Sequence, residues 1–169
     1  MFNVLKTTGT PSLEELKTTV AFPQEDELYK KGPVAVIECV EEIPCNPCET
    51  ACPKGAIKVG DPITNLPVVD FSICTGCGAC VAACPGLAIY VKDYTYSDTT
   101  ATIAFPFEYL PLPAPGGAVQ LVGRHGEPVC TGSVLRVVNS KRNNRTAVIT
   151  VEFPKDYFDD VVNIRRIDI

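Results

Sequence analysis

The stretch Cys74-Thr-Gly-Cys-Gly-Ala-Cys-Val-Ala-Ala-Cys-Pro85 decides how this chain of 169 residues is organised. Its cysteines follow the spacing C-x2-C-x2-C-x3-C-P. An upstream stretch, Cys39-Val-Glu-Glu-Ile-Pro-Cys-Asn-Pro-Cys-Glu-Thr-Ala-Cys-Pro53, has the spacing C-x5-C-x2-C-x3-C-P. The upstream run is therefore the same pattern with three extra residues between its first two cysteines. Together the two runs contain eight of the nine cysteines.

Two runs of four cysteines predict two [4Fe–4S] clusters. A cubane presents four irons, and each iron prefers one soft thiolate ligand. Three closely spaced cysteines in a tight loop can bind three irons of one cube. The fourth cysteine precedes a proline and begins a helical turn, so it reaches the neighbouring cluster. The predicted ligands are Cys39, Cys45, Cys48 and Cys84 for cluster I, and Cys74, Cys77, Cys80 and Cys52 for cluster II.

Residues 33–93 resemble the bacterial two-cluster ferredoxin family. Each cysteine run is followed by a similar apolar segment, so the region is an internal repeat of one strand–loop–helix–strand unit. The resemblance implies a small sandwich of two-stranded sheets and two short helices around the clusters. In that fold Lys58–Val59 would form a hairpin with Val68–Asp70. Val34–Ile37 is expected to pair with Ala88–Val91.

The first run departs from the family pattern at Glu42, where the usual spacing would place a cysteine. A carboxylate is a hard and poor ligand for a reduced iron–sulfur cube. We therefore expect Cys39 to replace the missing ligand, with residues 40–44 looping out. The alternative is a three-iron or absent cluster I with Cys39 buried but not bound to iron. About eight irons per chain would favour the first interpretation.

Two other uses of eight cysteines fit the pattern less well. Disulfide frameworks are typical of short secreted chains, and residues 1–6 carry neither a charged leader nor a long apolar run. Structural zinc takes four cysteines in two pairs rather than a run that ends in proline. We expect a reducing, cytoplasmic location. No stretch of 18 or more apolar residues is present, so we expect no membrane insertion.

The charge distribution argues against nucleic-acid binding, and the composition indicates a folded protein. Residues 1–93 carry 7 Lys and Arg against 12 Asp and Glu, whereas residues 94–169 carry 8 of each. The acidic excess therefore lies entirely in the cluster half, where it repels nucleic acid. Hydrophobic residues make up 46% of the chain, which indicates a folded protein, and 15 prolines and 12 glycines indicate many turns.

The predicted fold class is α+β, with a ferredoxin-like two-cluster domain, an N-terminal arm and a small C-terminal β-meander or half-barrel. The predicted segments are an arm over residues 1–32, the cluster domain over residues 33–93, a proline-rich linker over residues 94–117 and a β-rich domain over residues 118–169. The linker is apolar, so we expect it to lie in a groove rather than to move freely.

The arm leaves two possibilities open. Ser12 and Glu15 form a capping-box pattern, which predicts a short helix. The arm either packs on its own domain or reaches over a partner subunit, because it is rich in apolar residues for a segment with little core. These residues are Phe2, Val4, Leu5, Val20, Phe22 and Tyr29.

The sequence of residues 118–153 predicts three strands, because β-branched residues recur there in partial alternation. These are Ala118–Val122, Val129–Val138 and Thr146–Phe153, with a bulge or tight bend expected at Gly132.

Several reactive or charged side chains of the C-terminal half are candidates for a functional role. We expect Cys130 to be a core residue and His125 to be a solvated turn residue. The basic loop Lys141, Arg142 and Arg145 is typical of a solvated hairpin tip, and Arg165-Arg166 is a candidate contact for a partner.

The predicted function is electron transfer. No Gly-rich nucleotide or flavin motif is present, and no catalytic residue can be named. All eight ligand positions are filled, which leaves no iron for a substrate. The extra segments favour a subunit of a hetero-oligomeric oxidoreductase, and the resemblance implies a flavoprotein partner that oxidises amino acids or amines. A free ferredoxin carrier and a structural or redox-sensing cluster protein remain alternatives.

Overall fold

The computed structural model describes residues 3–166 and has a mixed helix and sheet fold. Its helices are α1 Asn3–Thr8, α2 Leu13–Leu16, α3 Glu25–Lys30, α4 Pro47–Ala51 and α5 Ala79–Ala83, with 3-10 turns at Lys141–Asn143 and Lys155–Tyr157. Its strands are β1 Val34–Ile37, β2 Ile57–Lys58, β3 Val68–Val69, β4 Ile89–Asp93, β5 Thr100–Phe107, β6 Ala118–Val122, β7 Pro128–Val138, β8 Ala147–Pro154 and β9 Asn163–Ile164.

The strands of this described range form one large and one small antiparallel sheet. The large sheet has the order β1-β4-β5-β8-β7-β6-β9, and the small sheet pairs β2 with β3. The expected pairing of β1 with β4 is confirmed, from Val34 opposite Lys92 to Ile37 opposite Ile89. The expected hairpin is also present, with Ile57 opposite Val69, so it begins one residue earlier than predicted.

The ribbon of β1 and β4 is not the separate two-stranded sheet that the resemblance implied. The other edge of β4 pairs with β5, where Val91 lies opposite Ala104. The cluster region and the C-terminal half therefore share one continuous sheet. The sheet also curls, since Arg124, which follows β6, forms an ion pair with Glu38, which follows β1.

The prediction of a linker over residues 94–117 is wrong for Thr100–Phe107, which forms β5. This strand pairs with β8 along its whole length. Its middle is buried, because Ile103 and Phe105 enter the main core. Four prolines made the segment look like a linker. Pro106 is tolerated because β4 pairs with β5 only as far as Ala104, so the missing N–H lies beyond that ladder.

The C-terminal strands agree closely with the sequence. β6 has the predicted bounds, and β7 and β8 differ from them by one residue at one or both ends. The register of β7 shifts against β8 between Val134 and Arg136 and against β6 between Pro128 and Thr131, rather than at Gly132. Gly132 is required for another reason: a Cβ there would lie 2.7 Å from the backbone oxygen of Glu152.

Several apolar side chains of the N-terminal arm pack into the core of the same chain. Ser12 and Glu15 form the predicted capping box at the start of α2. Leu16, Phe22 and Leu28 are buried in the main core, and Val20 remains exposed. Phe2 lies outside the described residues. The possibility that the arm also contacts a partner stays a prediction.

Candidate functional site: two cysteine-lined cavities

Two cavities are lined by cysteines, and each takes the number of the cluster predicted for it. Cavity II lies between the second cysteine run and the end of α4. It encloses about 330 Å³, including space open to solvent. Four cysteines line it, and small or apolar residues such as Ala35, Ile57 and Val91 complete its wall. The four cysteines are Cys52, Cys74, Cys77 and Cys80.

Cavity I lies between the first cysteine run and the end of α5. It is larger, at about 560 Å³ measured in the same way. Its wall includes Ile37, Pro47 and Ile89. The cysteines that line it are Cys39, Cys45, Cys48 and Cys84.

The structure thus brings together the same two sets of cysteines that the crossed spacing predicts. Cys52 belongs to the first run but lies at cavity II, and Cys84 belongs to the second run but lies at cavity I. The cause is local. Cys52 and Cys84 are the C-caps of the short helices α4 and α5, so each ends a helix rather than beginning one as predicted. The backbone turns to an extended conformation at both cysteines, and the two helices pack against each other. Each helix therefore delivers its last cysteine to the opposite cavity.

Glycine makes the tight loop of cavity II possible. Gly76 has a φ of +62°, a region that residues with a Cβ rarely adopt. An added Cβ would also lie 2.5 Å from the backbone oxygen of Pro33. Gly78 has a similar φ of +79°, but its missing side chain faces open space. The loop therefore needs glycine at position 76 for both conformation and packing.

The cysteines differ in the environment of their thiols. Burial raises the pKa of Cys80 to about 12 and that of Cys48 to about 11. Burial also raises the pKa of Cys52, but backbone N–H groups that follow it outweigh this effect and leave the pKa below its usual value. One of these donors is the Ala56 amide, 3.3 Å from the Cys52 Sγ. These donors therefore favour the thiolate form of Cys52, the form that binds iron.

The loop of the first run places Cys39 and Glu42 differently. Cys39 lines cavity I, whereas Glu42 is exposed and does not line it. Residues 41–44 are all exposed, as expected for a segment that loops out. Glu41, which the sequence did not single out, does line the cavity. This geometry supports Cys39 as the fourth ligand of cluster I, an assignment that stays a prediction.

A long-range ion pair anchors the chain segment that leads into the loop of cavity I. Arg124 lies 2.6 Å from Glu38, and the two side chains are only 10% and 7% exposed. Arg124 also donates to the backbone oxygen of Asp159. Glu38 directly precedes Cys39, so the pair ties this cysteine to the far side of the curled sheet. The sequence showed Arg124 only as part of a turn, and no local signal distinguishes it.

The remaining candidates line neither cavity. Cys130 is partly buried against the main core, and burial raises the pKa of its thiol. His125 is exposed in its turn, with its Nδ1 2.9 Å from the hydroxyl of Thr10. Arg142 and Arg145 are exposed at the hairpin tip.

Residues 3–166 offer neither a membrane-spanning helix nor a site for a single metal ion. No helix in that part of the chain is both long and apolar enough to cross a membrane. No group of three or more His, Cys, Asp or Glu side chains there is arranged to hold a single metal ion. The eight cysteines of the two runs instead line the walls of the two cavities.

Comparison with protein families identifies the cluster region. Residues 38–88 match the model of the 4Fe-4S dicluster domain. Four thiols around each cavity are the donor set that a [4Fe–4S] cluster takes, so the residues present fit the cofactor. This part of the chain is an iron–sulfur domain of ferredoxin type that carries two [4Fe–4S] clusters.

Curated relatives share this domain within different larger proteins. The isethionate sulfite-lyase activating enzyme of Desulfovibrio desulfuricans is 35% identical over 119 residues, which cover 66% of this chain and 36% of that protein. One subunit of the ion-translocating oxidoreductase complex of Methanosarcina acetivorans is 48% identical over 50 residues, or 30% of this chain and 18% of that protein. The polyferredoxin-like subunit of the aliphatic sulfonate oxidoreductase of Pyrococcus furiosus is 50% identical over 48 residues, or 28% and 27%.

The chain thus spans well under two thirds of the length of each of these relatives. No solved structure is significantly similar to it. The ferredoxin-type relatives support electron transfer as the role of the matched region.

Proposed function

We propose that this protein is the small iron–sulfur subunit of an oxidoreductase and relays electrons from a flavoprotein dehydrogenase partner to an acceptor. The observation that carries the proposal is the sorting of eight cysteines into two cavities, four to each. Neither set leaves a predicted ligand position open for a substrate. The arrangement therefore suits the transfer of electrons rather than the conversion of a substrate.

The chain's own residues have three tasks in this function. The cysteines hold the clusters, which when bound supply one-electron redox chemistry. Buried apolar side chains such as Ile37, Ile57 and Ile89 keep water from the inner sides of the cavities. Cys77 is the one exposed cysteine in the described part of the chain, so cavity II opens to the surface at that point.

Redox chemistry supports a flavoprotein partner, and the relatives that share the domain support a place in an oxidoreductase. A flavin accepts two electrons as a hydride and releases them one at a time, so a one-electron relay beside it is useful. Two of the relatives are subunits of oxidoreductases by name. Residues outside 38–88 provide additional surface for assembly into a hetero-oligomer.

The first test concerns the clusters. Protein purified without oxygen should contain about eight irons per chain and show two paramagnetic clusters after reduction. Cys130→Ser provides a matched control, because this ninth cysteine lines neither cavity. About four or seven irons in the wild type would contradict the assignment of two complete clusters.

The second test concerns the partner. The tagged protein is isolated anaerobically from its source cells, and the absorption spectrum of the bound fraction is recorded. A co-purifying flavoprotein that reduces the clusters when given its substrate is the expected result. A monomer that exchanges electrons unselectively with many reductases would favour a free carrier. Clusters that lose iron during redox cycling would favour a sensing or structural role.

A further inference from the structure

An open groove lies on the outer face of the large sheet, next to cavity II. It encloses about 1220 Å³, including space open to solvent. The cysteine loop around Cys77 forms one side, and Arg136 and Arg142 form the other. We name it the arginine groove. Its position matters because Cys77 is the exposed cysteine of the cluster II set.

The floor of the arginine groove is a row of paired residues that begins at cavity II. Ala35 pairs with Val91, Val91 with Ala104, Ala104 with Thr150, and Thr150 with Arg136. Directly paired residues point to the same face of a sheet. Ala35 and Val91 also line cavity II. The small side chains of Ala104 and Thr150 leave the groove open between the cluster and the arginines.

The charge of the groove differs from that of the surface around the clusters. The chain's six arginines all follow residue 93, whereas residues 1–93 have an acidic excess of five. Arg136 and Arg142 are both exposed. Asp93 is the acidic residue that lines the groove, and its carboxylate accepts hydrogen bonds from the backbone and hydroxyl of Thr95. Glu152 lies on the same face, opposite Thr102.

We propose that the arginine groove is the docking site for an acidic segment of a redox protein that exchanges electrons with cluster II. This inference rests on the proposed function and adds the site and the charge of the partner. Two arginines on one rim complement aspartate and glutamate side chains, and such pairs steer association and fix orientation. The partner's redox centre would then face Cys77. One electron passes between the two proteins, and no covalent bond forms or breaks.

The test compares electron transfer to an acidic and a basic acceptor. Flavodoxin is the acidic probe; its oxidised flavin takes one electron from the reduced protein and one proton from water. Cytochrome c is the basic probe and takes one electron at its haem iron. Rates are measured anaerobically by stopped flow at low ionic strength, where steering by charge is strongest.

The double variant Arg136→Glu/Arg142→Glu should transfer electrons to flavodoxin roughly tenfold more slowly than the wild type and to cytochrome c faster. Asp93→Asn removes a negative charge from the groove. It should therefore speed transfer to flavodoxin and slow transfer to cytochrome c, each by a smaller factor than in the double variant. Lys6→Glu/Lys17→Glu is the matched control. It makes the same change in net charge, and its two exposed lysines lie outside the groove. This control should alter the flavodoxin rate by less than about twofold.

Equal slowing in both double variants would overturn the docking site, since net charge alone would then explain the effect. An unchanged flavodoxin rate in Arg136→Glu/Arg142→Glu would also overturn it. A small neutral quinone separates these outcomes from failure of the proposed function. If the wild type reduces the quinone reversibly without loss of iron, electron transfer stands and only the docking site fails. If it does not, the proposed function fails.

Discussion

The two cavities present the same number of cysteines but are built in different ways. The loop of cavity II is short, and its Gly76 packs directly against the backbone of Pro33, within the cluster region itself. The loop of cavity I is longer by three residues, and its residues 41–44 are exposed. The ion pair between Glu38 and Arg124 anchors the chain just before this loop. A lengthened copy of a motif can thus keep its ligand geometry when a distant part of the fold anchors it.

The thiol environments also differ between the cavities. Burial raises the pKa values of Cys39 and Cys48 at cavity I, whereas several backbone N–H groups outweigh burial and lower the pKa of Cys52 at cavity II. The Cys52 Sγ at cavity II accepts a hydrogen bond from the Ala56 amide. Hydrogen bonds to sulfur and access to solvent are the main protein controls on the potential of a cluster. We therefore expect the two clusters to have unequal potentials. The following variants test how far the difference between the cavities goes.

The largest effect is expected for Cys39→Ala. If Cys39 binds cluster I, this variant should lose that cluster or retain a three-iron form, whereas cluster II remains. Glu42→Gln should keep the full iron content, because Glu42 is exposed and lies outside cavity I. Iron analysis and electron paramagnetic resonance check both variants. Loss of cluster I in Glu42→Gln with retention in Cys39→Ala would reverse the assignment.

Gly76→Ala should damage cavity II selectively. The added methyl group would meet the Pro33 backbone, and the loop would have to move. Gly78→Ala is the matched control. It has the same left-handed strain, about 1–2 kcal/mol, but no neighbour within 4 Å. We expect most of cluster II to be lost in the first variant and kept in the second, as measured by iron content. Equal losses would mean that backbone strain, rather than the contact with Pro33, is decisive.

Arg124→Met should weaken cavity I selectively. It leaves the nearly buried Glu38 carboxylate without its partner, a change that typically costs about 3–5 kcal/mol of folding free energy. Lys30→Met is the control, because it removes an exposed pair with Asp26 that contributes little to stability. Anaerobic melting temperatures measure both, and cluster I should be released first in Arg124→Met. Release of cluster II first would contradict the anchoring role.

The smallest effect concerns Lys92 on β4, the strand between the two halves. Burial, and next the Arg124 charge, lower the pKa of Lys92 from 10.5 to about 8. Between these values the unfolded chain binds the proton more tightly, so stability rises with pH across this window. At about 1.4 kcal/mol per pH unit, the gain reaches about 3 kcal/mol.

Lys92→Met should remove this rise, and anaerobic melting temperatures between about pH 7 and pH 10 can measure it. The wild type should gain stability relative to the variant as the pH increases from about 8 towards the ordinary lysine value. Tyr29 and Tyr90, whose pKa values are raised by burial, are present in both proteins and cancel in the comparison. Parallel pH profiles would contradict a lowered pKa at Lys92.

Local patterns predicted much of this protein well. The capping box at Ser12 and the bounds of β6 depend on neighbouring residues, and both are confirmed. The pairing of β1 with β4, which is also confirmed, was expected from the resemblance to two-cluster ferredoxins. The prediction failed at β5, where prolines outweighed buried apolar residues. Whether Pro106 is acceptable depends on how far a neighbouring strand pairs, and that strand is distant in sequence.

The sequence by itself determined the cofactor, because ligand chemistry and cysteine spacing within a short run are local properties. The crossed assignment of the cysteines to two clusters stays a prediction of the ferredoxin pattern. Only the tertiary structure decided that the cluster region shares a sheet with the C-terminal half. The same is true of the pairing of Arg124 with Glu38, 86 residues apart, and of the two arginines beside Cys77. These features arise when a sheet curls and brings distant strands together, and no local pattern records that contact.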